Sequence, residues 1–135
     1  MALKDDILKV MGGMHVAAVA TVSAGKPAMR FMALAGLQDL SLVGATMKGS
    51  RKVEQISKNP EVALSIWSGK EFSDPYVVIQ GKAEIHEDLE TKKEFWDPMM
   101  EKYFQKPENP NYVVLKFVPT LIEYYHDMSM DVWQR

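Results

Sequence analysis

The sequence contains no cysteine, no excess of basic residues and no long apolar run, and each absence removes a class of function. Without cysteine the chain cannot form disulfides, use a thiolate or bind structural zinc through sulfur. A count of 16 basic against 18 acidic residues offers no general electrostatic case for nucleic-acid binding. No stretch approaches the roughly 20 apolar residues of a membrane-spanning helix, and the segment MALKDDILKVMGG does not resemble a signal peptide. We therefore expect no nucleic-acid or membrane partner and a cytoplasmic location.

The common catalytic and metal-binding motifs are also missing. His15, His86 and His126 lie far apart in the sequence and lack the spacing of metal ligands, so no metal site is expected. No G-x-S-x-G elbow supports a hydrolase, and no G-x-G-x-x-G loop supports a Rossmann nucleotide site. The residues alone therefore leave the catalytic residues unknown.

Short β-prone runs separated by turns dominate the chain. Strands are predicted over 15–22, 28–35, 40–46, 61–67, 76–85 and 112–125, the last divided by Pro119. A helix is predicted at the start, a short one over 50–58 with Ser50 as its N-cap, and two more that meet near Pro98. About six strands, linked mainly by hairpins, predict a mainly β fold: a six-stranded antiparallel barrel with peripheral helices, as a single domain over 1–135.

Basic residues crowd the start of the predicted short helix. Lys48, Arg51 and Lys52 precede its first acid, although the partial positive charge of a helix N-terminus favours acidic residues there. A bound phosphate would make this arrangement favourable, with the Ser50 hydroxyl as a further donor. Arg30 would add a second guanidinium if its predicted strand (28–35) lies beside the next one (40–46). The alternative is a solvated basic turn, because exposed charges cost little. The spacing alone does not decide between them.

Three segments together resemble the pyridoxamine 5′-phosphate oxidase-like superfamily. They are GKPAMRFMALA (25–35), ATMKGSRKVEQISKNPEVALSIW (45–67) and YVVIQGKAEI (76–85). The most specific part is a small hydroxyl residue, a short spacer, and Ser-Arg-Lys opening a helix that ends in Asn-Pro. The resemblance implies the FMN-binding split β-barrel, in the general stress protein or flavin-reductase-like branch. It also implies a homodimer with the flavin at the subunit interface.

The resemblance further implies which residues bind the cofactor FMN. Arg30, Arg51 and Lys52 would hold its phosphate with help from the hydroxyls of Ser50 and Thr46. Backbone groups of the strand 30–33 and of the stretch Ala45-Thr46 would run along the ribityl chain and the isoalloxazine edge. Tyr76 stands where the biosynthetic oxidase has a glutamine near the flavin. The whole implied set is Arg30, Phe31, Met32, Ala33, Ala45, Thr46, Ser50, Arg51, Lys52 and Tyr76.

Two departures from the biosynthetic oxidase limit the predicted activity. Ala35 stands where that enzyme has a substrate-binding lysine, and the tail HDMSMDVWQR lacks its Trp- and Arg-bearing pattern, so oxidation of vitamin B6 is not expected. We predict an FMN-dependent oxidoreductase that uses a small-molecule electron donor and acceptor. The missing catalytic motifs do not argue against this activity, because the flavin carries its own reactive atom. Two alternatives stay open. One is a non-catalytic flavin-binding or stress-response module, and the other is the same barrel with a deazaflavin or haem ligand.

Overall fold

Antiparallel strands and a few short helices make up residues 2–135, the part of the chain that the computed structural model describes. The helices are α1 (Ala2–Met11), α2 (Arg51–Lys58), α3 (Leu89–Glu94) and α4 (Glu101–Phe104), the last preceded by a 3-10 turn at Pro98–Met100. The strands are β1 (Gly13–Ser23), β2 (Lys26–Gly36), β3 (Leu42–Met47), β4 (Glu61–Ile66), β5 (Tyr76–His86), β6 (Tyr112–His126) and β7 (Ser129–Gln134). Within this range no helix combines the length and the hydropathy that crossing a membrane requires.

The first six strands form an antiparallel sheet that closes on itself. Neighbours follow the order β3-β2-β1-β4-β5-β6, and β3 pairs again with β6. The predicted mainly β antiparallel fold is therefore confirmed. The closed ring contains six strands, as predicted, and a seventh strand that was not predicted, β7, extends the sheet along the C-terminal half of β6. Its hairpin turns through Asp127 and Met128 with φ of 46° and 66°, and neither residue is the glycine that marks such a turn in a sequence.

Pro119 does not divide the sixth strand as predicted. β6 runs without a break from Tyr112 to His126, and its register with β5 shifts by one residue. Gly81 pairs with Pro119 whereas Gln80 pairs with Leu121, so the strand absorbs proline at a bulge, where a missing N–H is tolerated. A side chain at Gly81 would place its Cβ 2.3 Å from the Val118 carbonyl oxygen, which explains the glycine.

Side chains at alternating strand positions fill the interior of the ring. Val19, Leu34 and Ile79 are fully buried there, as period-two patterning requires. Helix α2 packs against β1 and β5 and buries Val53 and Ile56 in the same core. This packing holds the first turn of α2 beside the β1–β2 hairpin, where the predicted phosphate-binding residues meet.

Candidate cofactor-binding site

A cleft of about 280 Å³ lies between the β1–β2 hairpin and the first turn of α2. We call it the basic cleft, and its lining residues are Ala28, Met29, Arg30, Arg51, Lys52 and Gln55. The fold thus brings together the three cations that sequence reasoning assigned to a phosphate, although Arg30 is far from the other two in the chain. None of the ion pairs formed within residues 2–135 involves these three side chains.

The cations of the basic cleft repel one another. Burial, together with the neighbouring charge of Arg51, lowers the pKa of Arg30. Burial and the charge of Arg30 likewise lower the pKa of Lys52. The one acid in the first turn of α2, Glu54, turns to Lys58, with 3.2 Å between carboxylate and ammonium. The cluster is therefore unfavourable by itself, and a bound anion would relieve the repulsion.

This repulsion predicts that removing one charge stabilises the ligand-free protein. Because folding lowers the pKa of Lys52, the folded state disfavours its protonated form at neutral pH. We expect Lys52→Gln to raise the thermal midpoint without ligand by about 1–3 °C, a modest gain because the side chain is partly exposed. Differential scanning calorimetry measures this. Lys58→Gln on the same helix, which removes an ion pair, is the control and should not raise the midpoint. A lower midpoint for Lys52→Gln would contradict the argument.

A closed set of hydrogen bonds holds the guanidinium of Arg30 in place. Its Nη1 donates to Oγ1 of Thr21 at 2.8 Å and its Nη2 donates to Oε1 of Gln55 at 2.9 Å. The Thr21 hydroxyl donates to the same Gln55 oxygen at 2.6 Å. Sequence reasoning missed Thr21 and Gln55, although Gln55 lies one helical turn after Arg51. No carboxylate takes part, so the guanidinium is positioned without being neutralised.

The hydroxyl of Ser50 is buried and has no hydrogen-bond partner within residues 2–135. Ser50 is the N-cap of α2, as predicted, but its side chain does not cap the helix. A buried polar atom without a partner costs free energy, and a ligand oxygen would satisfy it. Guanidinium, ammonium and hydroxyl donors beside a helix start, without a neighbouring acid, are the donor set that fits a phosphate group.

Strands β2 and β3 separate as they approach the basic cleft. Their pairing consists of Ala35 with Val43 and Gly36 with Leu42, after which β3 pairs with β6 alone. The separated segments leave backbone groups of both strands outside the β2–β3 ladder, and these groups are available to a ligand. Five predicted cofactor residues lie on the two sides of this opening: Phe31, Met32, Ala33, Ala45 and Thr46.

Tyr76 does not line the basic cleft. It begins β5, which is separated from β2 by β1 and β4 in the sheet order. Its ring stacks on that of Tyr125, with 4.7 Å between ring centroids and 8° between planes. The fold therefore does not bring Tyr76 to the other predicted residues within one chain, and its contact with the flavin stays a prediction.

Apolar side chains are exposed on the outside of the β1–β2 hairpin. Phe31 is 77% exposed, Met29 68% and Val16 66%. Ala18 lies opposite Phe31, and Ala20 opposite Met29, so the exposed side chains are neighbours across the two strands. Met29 also lines the basic cleft, which opens at the edge of this surface. We call the surface the outer face: Met14, Val16, Ala18, Ala20, Met29, Phe31 and Ala33.

Three similar proteins point to one family. General stress protein 26 of Bacillus subtilis (strain 168) is 33% identical over 118 residues, which cover 87% of this chain and 84% of that protein. The crystal structure of general stress protein 26 from Bacillus anthracis str. Sterne is 30% identical, with a TM-score of 0.85 and full coverage of both chains. A putative pyridoxamine 5′-phosphate oxidase from Listeria innocua is 27% identical, with a TM-score of 0.81 and coverage of 93% and 99%.

More distant structures share the fold alone. They include an F420 reductase (21% identity, TM-score 0.69), a heme binding protein from Mycobacterium smegmatis (15%, 0.74) and a pyridoxamine 5′-phosphate oxidase-related, FMN binding protein from Nostoc punctiforme (15%, 0.68). This chain spans 56% of the heme binding protein. The family model described as pyridoxamine 5′-phosphate oxidase matches residues 3–126. The chain therefore belongs to the pyridoxamine 5′-phosphate oxidase family, as its sequence motifs predicted.

Proposed function

We propose that the protein binds FMN, with the phosphate in the basic cleft, and acts as an FMN-dependent oxidoreductase on a small substrate. The observation that carries the proposal is the cluster of Arg30, Arg51 and Lys52, three cations outside every ion pair within residues 2–135. A terminal phosphate carries about two negative charges at neutral pH and accepts several hydrogen bonds, so it would offset the repulsion among them. Ser50 would supply a further donor to it.

The rest of the cofactor would lie along the opening between β2 and β3. Backbone groups beside Phe31, Met32 and Ala33 on one strand, and beside Ala45 and Thr46 on the other, would contact the ribityl chain and the ring edge. Bound FMN supplies the redox-active ring, whose N5 exchanges hydride or electrons with donor and acceptor. The task of the chain is then to hold the phosphate, orient the ring and limit its access to water.

A homodimer is part of the proposal. The outer face exposes Phe31, Met29 and Val16 in the single chain, and contiguous apolar surface of this kind is typical of an interface. A second copy related by two-fold symmetry would bury the same surface on both chains. Because Met29 belongs both to the outer face and to the basic cleft, the proposed flavin would lie beside the partner. A partner residue such as Tyr76 would then contact the ring from the other chain.

The alternative ligands have less support from the side chains. A haem iron needs an axial ligand, commonly a histidine, and Nε2 of each of the three histidines already takes part in a hydrogen bond. Nε2 of His15 bonds to the Gly12 carbonyl, that of His86 to Glu84 and that of His126 to Asp131. None of these histidines lines the basic cleft. A deazaflavin would use the same barrel, but the compact cluster of cations suits a terminal phosphate monoester, which FMN has.

Anaerobic reduction tests the catalytic part of the proposal. The FMN-loaded protein is mixed with NADH or NADPH in a stopped-flow instrument, and the visible absorbance of the flavin is followed. An oxidoreductase should bleach with at least one donor, faster than free FMN, and recover its absorbance when an electron acceptor is added. Binding of FMN without faster reduction by any donor in a broad screen would favour the non-catalytic flavin-binding module instead.

A further inference from the structure

The hydrogen bonds of Gln55 determine which way its side-chain amide points. A guanidinium has no acceptor, so the amide atom 2.9 Å from Nη2 of Arg30 must be the oxygen and not the nitrogen. The same oxygen lies 2.6 Å from Oγ1 of Thr21. That hydroxyl accepts from Nη1 of Arg30 at 2.8 Å and keeps its own hydrogen for Gln55. Gln55 Oε1 therefore accepts two hydrogen bonds, one directly from Arg30 and one from the Thr21 hydroxyl that Arg30 itself donates to.

The amide nitrogen of Gln55 is left with two N–H donors. Nε2 forms no hydrogen bond within residues 2–135, and Gln55 lines the basic cleft together with the three cations. We propose that Gln55 is an anion ligand whose Nε2 donates to a phosphate oxygen, and that Thr21 is the positioning residue that fixes the amide. The inference rests on the proposed function, since FMN would supply the phosphate.

This arrangement implies selectivity for a fully ionised phosphate. Of the side chains that would meet the phosphate, Arg30, Arg51, Lys52 and Nε2 of Gln55 can only donate hydrogen bonds, whereas the Ser50 hydroxyl can donate and accept. The two nearby acceptor oxygens, on Thr21 and Gln55, already serve Arg30. A singly protonated phosphate carries one negative charge fewer to offset the three cations, and of these groups only the Ser50 hydroxyl can accept its hydrogen. FMN affinity should therefore rise as the pH passes the second phosphate pKa, near about 6.

The amide signal of Gln55 in the wild-type protein gives a direct test. In a 15N-edited NMR spectrum, the side-chain amide protons of Gln55 are assigned by their loss in Gln55→Leu. We expect this signal to shift when FMN is added and when inorganic phosphate is added. An unchanged signal during a titration that saturates the protein with FMN would overturn the inference. A wild-type protein that ignores FMN while phosphate still shifts the signal would contradict the proposed function and leave the inference standing.

Substitutions provide the affinity test. Gln55→Leu removes both donors and should weaken FMN binding about 10-fold, while Gln55→Glu adds a repelling carboxylate and should weaken it about 100-fold. Thr21→Val should give a smaller loss and an altered Gln55 amide signal, which a merely structural role of Thr21 would not produce. Gln38→Glu makes the same change at an exposed loop position and should bind FMN like wild type. Wild-type affinity in folded Gln55→Leu and Gln55→Glu would overturn the assignment.

Discussion

Arg51→Glu combined with Lys52→Glu is expected to abolish FMN binding, with a loss of affinity of at least about 1000-fold. Hydrogen bonds to charged groups contribute about 1.5–3 kcal/mol each, and the variant loses two such partners from the basic cleft. The new carboxylates would also repel the phosphate at short range. Flavin fluorescence quenching measures the dissociation constant directly.

The fold of this double variant should survive. Arg51 is exposed, Lys52 is only partly buried, and α2 is held to the core by Val53 and Ile56. Acidic residues at a helix start also interact favourably with the helix dipole. Lys70→Glu combined with Lys106→Glu changes two exposed loop lysines and the net charge equally, and it should bind FMN normally. If the double variant in α2 is folded and retains wild-type affinity, the cluster is a solvated basic turn and not a phosphate-binding site.

Phe31→Asp is expected to convert the proposed homodimer to a monomer. Phe31 lies within the outer face and is 77% exposed in the single chain, so its replacement leaves the core of the chain intact. In a two-fold interface the change buries an unpaired carboxylate on each of the two copies, which is strongly unfavourable. Size-exclusion chromatography with light scattering should give half the wild-type mass. FMN affinity should also fall, about 10-fold or more, if the partner chain contacts the flavin.

Phe72→Asp is the matched control for the interface. Phe72 is 94% exposed, but it lies in the segment between β4 and β5 and not on the outer face. This variant should keep the dimeric mass and the wild-type affinity for FMN. A Phe31→Asp protein that stays dimeric, or a wild-type protein that is monomeric at micromolar concentration, would contradict the proposed interface.

Local patterns were sufficient to predict most of the fold. Alternating apolar residues marked the strands, and the sequence Asp97-Pro98 marked a helix start, where the Asp97 carboxylate accepts the Met99 N–H. What failed depended on features that have no local signal. The hairpin before β7 uses Asp127 and Met128 at positive φ, and β6 continues through Pro119 because its register shifts where it pairs with Gly81 of β5. Both are consequences of how two strands pair, which period and composition do not encode.

The candidate site shows the same division between local and long-range information. Ser50, Arg51 and Lys52 are adjacent in sequence, so their clustering at a helix start was readable. The roles of Thr21 and Gln55 depend on the β1–β2 register and on how α2 packs across β1, which become visible only in three dimensions. Arg30 could be proposed from the sequence only on the condition that its strand lies beside the next one, and the family resemblance removed that condition, because nothing in the local pattern connects Arg30 with residues about 20 positions later.

The visible absorption spectrum of the purified protein, before and after addition of excess FMN, shows whether the protein binds this cofactor. We expect a protein that is yellow as purified, or that takes up FMN until one molecule is bound per chain, with a spectrum distinct from that of free FMN. A colourless protein whose addition leaves the FMN spectrum unchanged, with no binding by calorimetry, would contradict this expectation. The basic cleft would then have to be assigned to a different anion.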